Sequence, residues 1–508
     1  MDHNTSDIGL NLNRTPRISP SFLAEDSSRE NHRNRVRTSM AVDRGTFETL
    51  VPSQFISFTF PNPDQTQTTP NPYGDPLRIA VLDSPVQIPD SIRIAAMLVP
   101  EDRQDDWIFS TEAGHLQLLS SLPGISRLIL AGNVPRGGDY FPTSYSRPVR
   151  NDTTCRTKFE ESLTPIILAL SPKISFENGI PQIPFLTYED NVIRSVTVER
   201  CIGSCVGEML VEDVEIEDEF PRREFRRRLR FKRMPNLIQT ETRIVSVTRN
   251  GSFCISLGEV EFLPETSVLV HQYLPPMVAS LSLIAPHLER HIQLGSKPRV
   301  LCVGVGGGAL LTFLHTQLGF EVMGVEADEM VLRVARLYFG LLDNELFRVS
   351  VGDGIEVLEQ FAQRAMGTPN SPGTLDRDFG KFDCCVPSVD VIMVDLDSGD
   401  ARNGSSAPPL EFVRKPVLLA ARSALHKFGV LVINVIPLSK SFYDGLICEF
   451  REVFSELYEI DVRNGENYIL IATASPIGTV LGGCGDSVLK KLKAITGLGA
   501  YMDSIKKI

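Results

Sequence analysis

The chain has 508 residues, with 51 Lys and Arg against 63 Asp and Glu, a formal net charge of −12. At about 100–200 residues per domain this length implies two or three domains, and 42% apolar with 22% charged residues excludes a disordered polyelectrolyte. The acidity gives nucleic acid no electrostatic reason to be the main partner, and no run reaches the roughly 18 uncharged apolar residues that a membrane span needs. The longest stretch, 417–436, is interrupted by Arg422, His426 and Lys427. Nine cysteines, an odd number, do not make a disulfide framework in so long a chain. Neither the adjacent Cys384 and Cys385 nor Cys201 and Cys205 bring the second pair that a zinc site requires. The histidines are scattered, no metal centre is expected, and without a signal or transit peptide the cytoplasm is the expected compartment.

Residues 1–76 are rich in Asn, Ser, Thr, Arg and Pro, and read as a disordered leader that closes on the Pro-punctuated linker 61–76. Ordered chain is expected from Leu77, and 77–235 reads as an α+β accessory domain. It contains short strands in 78–83 and 91–100, a helix over 101–122 that carries Trp107, a strand at 126–131 and a helix over 157–170. Further on, 192–201 and 207–218 alternate like strands. The acidic run 212–220 facing the basic run 222–233 predicts a hairpin with its arginines on one face. That face reads either as a solvated cross-strand ion-pair ladder or as a docking surface for an acidic partner. Residues 236–298 form a lead-in, with strands in 242–251 and 252–263 and an apolar helix over 273–292. From 299 to 476 a strand–helix rhythm sets in, with strands at 299–304, 320–325, 347–351, 390–395 and 430–436 and a closing hairpin at 457–461 and 467–474. This is the pattern of a doubly wound, Rossmann-like α/β sheet. Residues 477–508 read as a C-terminal packing helix.

The chemistry concentrates where those strands end. Strand 299–304 runs through Gly304, Gly306, Gly307 and Gly308 directly into a helix, a turn whose backbone can approach a ligand without a Cβ in the way. Glu326 ends the second strand 22 residues after Gly304, where a carboxylate can accept both hydroxyls of a ribose. Gly352, Asp353 and Gly354 follow the third strand, where an acid can receive an adenine amine. Asp395, Asp397 and Asp400 follow the fourth. Each acid could alternatively cap a helix, but together they describe a nucleoside site. His271 and Tyr273 stand before the sheet as candidate lid residues, His271 alternatively as an ordinary packed histidine, and 398–409 has the Gly, Ser and Pro content of a mobile cover.

The glycine loop, Glu326, SVGDGIEVL (350–358) and DVIMVDLDSGD (390–400) resemble the spermidine-synthase-like branch of the S-adenosylmethionine methyltransferase fold. More narrowly, they resemble the C-terminal half of the methyltransferase-like protein 13 family, the methyltransferases of translation elongation factor 1-alpha. The likeness extends upstream through 98–119, 180–186, 207–215 and 225–231, and downstream through 405–413 and the terminal YMDSIKKI, so it covers roughly 90–508. It implies a seven-stranded methyltransferase sheet and S-adenosyl-L-methionine as cofactor, bound by Gly304, Gly306, Gly307, Gly308, Glu326, Asp353 and Gly354. It also implies a protein substrate, elongation factor 1-alpha, methylated on its N-terminal amine or else on a lysine. Asp395 or Asp397 would orient the amine and relay its proton; strand counting favours Asp395 and the DSGD pattern Asp397. Full-length family members carry another methyltransferase domain ahead of this region, whose place the leader takes.

Three positions depart from the related patterns. Cys302 stands where many methyltransferases have an acid. Ala309 stands where polyamine synthases have one, and Gln239 sits in a degraded version of their glutamine motif. An acid at 309 would repel the carboxylate of S-adenosylmethionine, so Ala309 favours methyl transfer over aminopropyl transfer. The alternatives are a polyamine aminopropyltransferase and a non-catalytic scaffold of the same fold.

Overall fold

The computed structural model describes residues 9–11, 45–64, 73–85, 92–136, 143–148, 153–217, 223–247, 257–365, 388–397, 399, 405–437, 439–477 and 487–508. The chain divides into two units, Met1–Asn191 and Val192–Ile508. Among the described residues no helix is long and apolar enough to cross a membrane.

The strands of the first unit are β1 (Gly9–Asn11), β2 (Phe55–Phe60), β3 (Leu77–Asp83), β4 (Ile94–Leu98), β5 (Arg127–Asn133), β6 (Ser144–Ser146) and β7 (Phe185–Glu189). One mixed sheet runs β1-β7-β4-β5-β3-β2. Its central strands read as unbroken apolar runs because both faces are covered. Leu82, Met97 and Leu130 pack on Phe109 and Leu118 on one side. Ile79, Val81 and Ile129 pack on Phe159, Leu163 and Ile167 of helix Thr153–Ala169 on the other. The helix expected over 101–122 is two helices, Trp107–Ser110 and Glu112–Ser120. Thr111 separates them in extended backbone, and its Oγ1 accepts the Gly114 N–H at 3.0 Å to cap the second.

Order begins earlier than Leu77, which corrects the expectation for the leader. β2 pairs antiparallel with β3 from Phe55↔Leu82 to Phe60↔Leu77. The polar average over 76 residues conceals FISFTF, in which Phe55 and Phe58 serve opposite faces of the sheet. Residues 1–8, 12–44 and 65–72 of the expected leader lie outside the described residues. The same region serves Arg127, which is fully buried at the heart of this unit. Arg127 grips Asp83 bidentately, Nε to Oδ1 at 2.5 Å and a terminal nitrogen to Oδ2 at 2.8 Å. It also donates to the carbonyls of Phe47, Thr49 and Leu170.

The second unit opens with an antiparallel sheet of β8 (Val192–Gly203), β9 (Gly207–Glu217), β10 (Arg223–Phe231), β11 (Ile238–Ser246) and β12 (Phe262–Pro264), in order β12-β11-β10-β9-β8. The expected boundary at 235 falls between β10 and β11, which pair antiparallel, so it does not divide two domains. Residues 192–235 belong to the second unit, in one sheet with β11 and β12. Of the strand expected at 252–263 only Phe262–Pro264 is strand, and 252–256 lie outside the described residues. The β9–β10 hairpin and its ladder form as read, but the ladder is buried rather than solvated. Arg227 stands opposite Asp213 in register and binds it at 2.6 Å; Arg228 stands opposite Glu241 and binds it at 2.6 Å. Their side chains are about 10% exposed. Burial pushes the Glu241 carboxyl up, and Arg228 and Arg226 outweigh it, holding the group at about 2.

The remaining strands are β13 (Arg299–Val303), β14 (Glu321–Glu326), β15 (Phe347–Val351), β16 (Val389–Val394), β17 (Ser405–Ala407), β18 (Leu425–Pro437), β19 (Glu456–Asp461), β20 (Tyr468–Thr473) and β21 (Lys506–Lys507). They run β15-β14-β13-β16-β18-β20-β19-β21, with β17 alongside β18. Strands β13 to β16 and β18 are parallel; β20 returns antiparallel, and β19, antiparallel to β20, again runs with the parallel set. The α/β expectation is borne out, with two short strands added. Alternation sorts the core: Val300 and Cys302 face Met277, Leu281 and Leu311, while Leu301 and Val303 face Leu358, Leu418 and Leu446. The tail is two helices, Ser487–Ala494 and Leu498–Asp503, followed by β21, because Gly497 in left-handed backbone (φ +85°) breaks the run. Helix Glu329–Tyr338 packs Val331 and Val334 against Met209, Val211 and Phe231 of the antiparallel sheet.

A chain begun at Leu77 should lose β2 and two acceptors of the buried Arg127. At about 1.5–3 kcal/mol for each hydrogen bond to a charged group, its denaturation midpoint should fall markedly. An unchanged midpoint against the full chain would show the preceding segment to be dispensable.

Candidate functional site

In an open α/β sheet the ligand crevice forms outside the carboxyl ends, where strand order reverses. Here that point lies between β13 and β16, with β14 on the far side of β13. The glycine loop occupies it, and packing explains each glycine. At Gly304 (φ +87°) a Cβ would collide with the Asp395 carbonyl oxygen, and at Gly308 (φ +81°) it would lie 2.6 Å from Leu341. Gly306 and Gly307 face Thr240 of β11, whose Oγ1 accepts the Gly307 N–H at 2.7 Å. Gly354 abuts Val303 and Phe412.

Glu326 ends β14 beneath this loop. Its Oε2 accepts the N–H of Val305 (3.1 Å) and of Gly306 (3.2 Å), and its Oε1 that of Asp328 (3.2 Å). Burial raises its carboxyl, and those backbone donors oppose the rise. The acid two residues on is structural: Asp328 caps helix Glu329–Tyr338 and accepts the N–H groups of Cys205 and Val206. Asp353 is exposed and caps helix Gly354–Ala365 through Oδ1, which accepts the Ile355 N–H at 2.7 Å and the Glu356 N–H at 3.3 Å.

Beyond β16, Asp395 and Asp397 have opposite surroundings. Asp397 is ion-paired, its Oδ1 2.6 Å from an Arg233 nitrogen and its Oδ2 3.3 Å from Gln239 Nε2. Burial still raises its carboxyl, with Arg233 pulling the other way. Among the described residues Asp395 meets no cation. The Tyr273 hydroxyl donates to its Oδ2 at 3.1 Å and Asn434 Nδ2 to its Oδ1 at 3.2 Å. Burial pushes the carboxyl up to about 6, a rise that the Asp397 charge reinforces and the two hydrogen bonds moderate. Asn434 is held in turn by Asn467 (2.7 Å), and Asn467 by Asn464 (2.7 Å). The Tyr273 hydroxyl is driven well above its ordinary range by burial and by Asp395.

His271 is buried beside Tyr273, ring centroids 5.2 Å apart, and burial lowers it to about 4. It is a packed residue and not an open lid. Cys302, at the position where many methyltransferases have an acid, is buried in the core. Asp400 and most of the 398–409 cover lie outside the described residues, Ser405–Ala407 forming β17. The structure thus brings the glycine loop, Glu326, Asp395 and Asp397 together, with Asp353 at the next strand end. Sequence reading missed Arg233, Thr240 and Asn434. Asn434 carried a signal, a lone amide inside the apolar strand VLVINVI. Arg233 and Thr240 carried none, because their roles arise from the packing of a separate sheet.

No protein-family model matches the chain. It is 26% identical to the human protein "eEF1A lysine and N-terminal methyltransferase" over 426 residues, 79% of this chain and 54% of that protein. The Xenopus laevis protein of that name is 27% identical over 409 residues, 77% and 52% of the two chains. The Drosophila melanogaster homolog is 24% identical over 382 residues, 74% and 48%. The chain therefore spans about half the length of the curated relatives it matches. A crystal structure of human methyltransferase-like protein 13 in complex with SAH is 27% identical over 46% of this chain and 93% of its own, with a TM-score of 0.36, too low to bear on the fold. Across roughly three quarters of its length, 74–79%, the chain is similar in sequence to eEF1A lysine and N-terminal methyltransferases.

Proposed function

We propose that the chain is an S-adenosylmethionine-dependent methyltransferase acting on a protein amine, the N-terminus of elongation factor 1-alpha in preference to a lysine. The observation that carries this reading is Asp395, a half-buried carboxylate with no cation partner among the described residues, set directly against the glycine loop. A positively charged acceptor would supply the missing counter-charge.

The residues present fit the cofactor. Glu326 is a buried carboxylate at the end of β14 beside the glycine loop, the position from which a carboxylate binds ribose hydroxyls in this class of sheet. Asp353 uses Oδ1 for its cap, leaving Oδ2 for an exocyclic amine. Gly304, Gly306, Gly307, Gly308 and Gly354 shape the floor. Ala309 follows as an uncharged first residue of its helix. When bound, S-adenosylmethionine supplies an electrophilic methyl group. The protein's part is to hold an unprotonated amine in line with it.

Asp395 suits that part better than Asp397, whose charge Arg233 already answers. A carboxylate titrating near 6 lies about two units below an α-amine, roughly 3 kcal/mol uphill for proton transfer, against about 6 kcal/mol for a lysine near 10.4. The match favours a terminal amine. Tyr273 and Asn434 act as positioning residues, fixing both carboxylate oxygens.

Glu326→Gln keeps an acceptor for the loop N–H groups but weakens the ribose contacts. Cofactor affinity in a calorimetric titration should fall by about 2 kcal/mol, roughly thirtyfold. Undiminished affinity would remove Glu326 from the site.

Asp395→Asn should lower kcat by at least about a hundredfold with cofactor affinity nearly unchanged. It should also stabilise the fold at neutral pH. An aspartate raised from 3.8 to about 6 in the folded state imposes no penalty below its unfolded value, and its full penalty, up to about 3 kcal/mol, applies above 6. Activity in the wild-type chain should rise with pH through about 6, and Tyr273→Phe, by removing a donor to the ionised form, should move that limb up by about one unit. A pH–rate profile indifferent to Tyr273→Phe would exclude Asp395 as the titrating group.

Mass spectrometry of elongation factor 1-alpha incubated with the chain and labelled cofactor tests the acceptor. Label is expected on the terminal amine. Label on internal lysines alone would overturn that assignment, and no label on any protein would favour the scaffold reading.

A further inference from the structure

At the other end of the same sheet, the amino ends of β13, β16 and β18, three histidines gather around a carboxylate. His287 and His291 stand one turn apart on helix Ala285–Gln293, an H-x-x-x-H spacing that the expectation of no metal centre overlooks. His426 is the second residue of β18. One nitrogen from each ring lies within 4.8 Å of those of the other two. Asp390, at the start of β16, underlies the cluster: its Oδ1 lies 2.7 Å from His287 Nε2, and its Oδ2 lies 3.6 Å from His291 Nδ1 and 2.9 Å from the Arg299 N–H that it accepts.

This is the arrangement by which a carboxylate fixes the tautomer of a metal-binding imidazole. With Nε2–H of His287 and Nδ1–H of His291 turned to Asp390, the lone pairs of His287 Nδ1 and His291 Nε2 point away from it. We propose that His287, His291 and His426 form a binding site for a divalent cation of the zinc class, with Asp390 orienting the first two rings. Three imidazoles without a thiolate suit zinc, and a tetrahedral ion would have its fourth position open to water. His287 and His426 now stack nearly parallel, 16° apart at 4.5 Å. Coordination therefore turns the more exposed His426 ring, with loss of the 3.2 Å bond its Nδ1 accepts from the Phe428 N–H. The ion would tie helix Ala285–Gln293 to β18. It would lie about 16 Å from the glycine loop, five strand residues away, and so brace the fold without entering the reaction.

The test uses the full chain stripped of metal with a chelator. Calorimetric titration with zinc chloride should show one ion bound per chain and a raised melting temperature. Cobalt(II) should give the visible bands of a tetrahedral ion without the near-ultraviolet charge transfer of a thiolate. His287 is buried, and its removal endangers folding, so the substitutions are His291→Gln and His426→Gln, singly. Each should weaken zinc at least tenfold while the metal-free melting temperature stays near that of the parent. Absence of binding, a thiolate band, or undiminished zinc affinity in either variant would overturn the proposal.

Discussion

The carbonyl oxygen of Asp395 occupies the space where a side chain at residue 304 would have to be. That single steric fact couples the two halves of the site. Only glycine lets β13 turn into its helix there, and the same contact fixes the height at which β16 ends. The Asp395 N–H completes the coupling by donating to the Val303 carbonyl at 3.0 Å, as the Gly304 N–H does to Val325. The glycine loop, the end of β14 and the end of β16 are thereby one rigid ledge. The loop's N–H groups all donate within the protein: to Val325, Glu326, Thr240 and Val305. What the ledge offers a ligand is therefore carboxylates and shape, and not a nest of free backbone donors.

On that ledge the fold separates two carboxylates that the sequence places two residues apart. Asp397 receives a guanidinium and an amide; Asp395 receives only a phenol and an amide. Both are half-buried, so the difference in partners decides which one remains electrostatically unsatisfied. Such a group costs stability, which the fold offsets in two apolar layers on either face of the sheet. The Asn434–Asn467–Asn464 chain limits that cost: each buried amide is answered by the next, so Asp395 gains a donor without any new unpaired atom.

Much of this is legible in the sequence. The strand–helix rhythm from 299 onward, the glycine run and the acids at three strand ends are local signals, each set by the period of its own segment. The misreadings have a common cause, which is that burial depends on partners distant in sequence. The arginines of β10 look solvated until β9 and β11 are known to flank them in register. FISFTF vanishes in the average of a polar leader, although a six-residue strand needs only a neighbour such as β3. Asp353 reads as a binding group and is at least a helix cap, since the same carboxylate geometry serves both. Asp395 and Asp397 cannot be told apart by pattern because their distinction lies in Arg233 and Tyr273, more than 100 residues upstream.

The antiparallel sheet from β8 to β12 is therefore part of the candidate site's framework and not an appendage to it. It reaches the ledge at three points: Thr240 on the glycine loop, Gln239 and Arg233 on Asp397. Its grip on the larger sheet is apolar, through Val331 and Val334, and polar, through Asp328 and the Tyr338 carbonyl that Arg227 reaches at 3.0 Å. A buried ladder of arginines and acids makes such a sheet stiff, since breaking one member leaves an uncompensated charge. The position of Arg233 on Asp397 is thus set by the register of β10 and β11 as a whole. Substitutions far out on this sheet therefore act on the site by way of Asp397, through a change in which of the two carboxylates is answered by a cation.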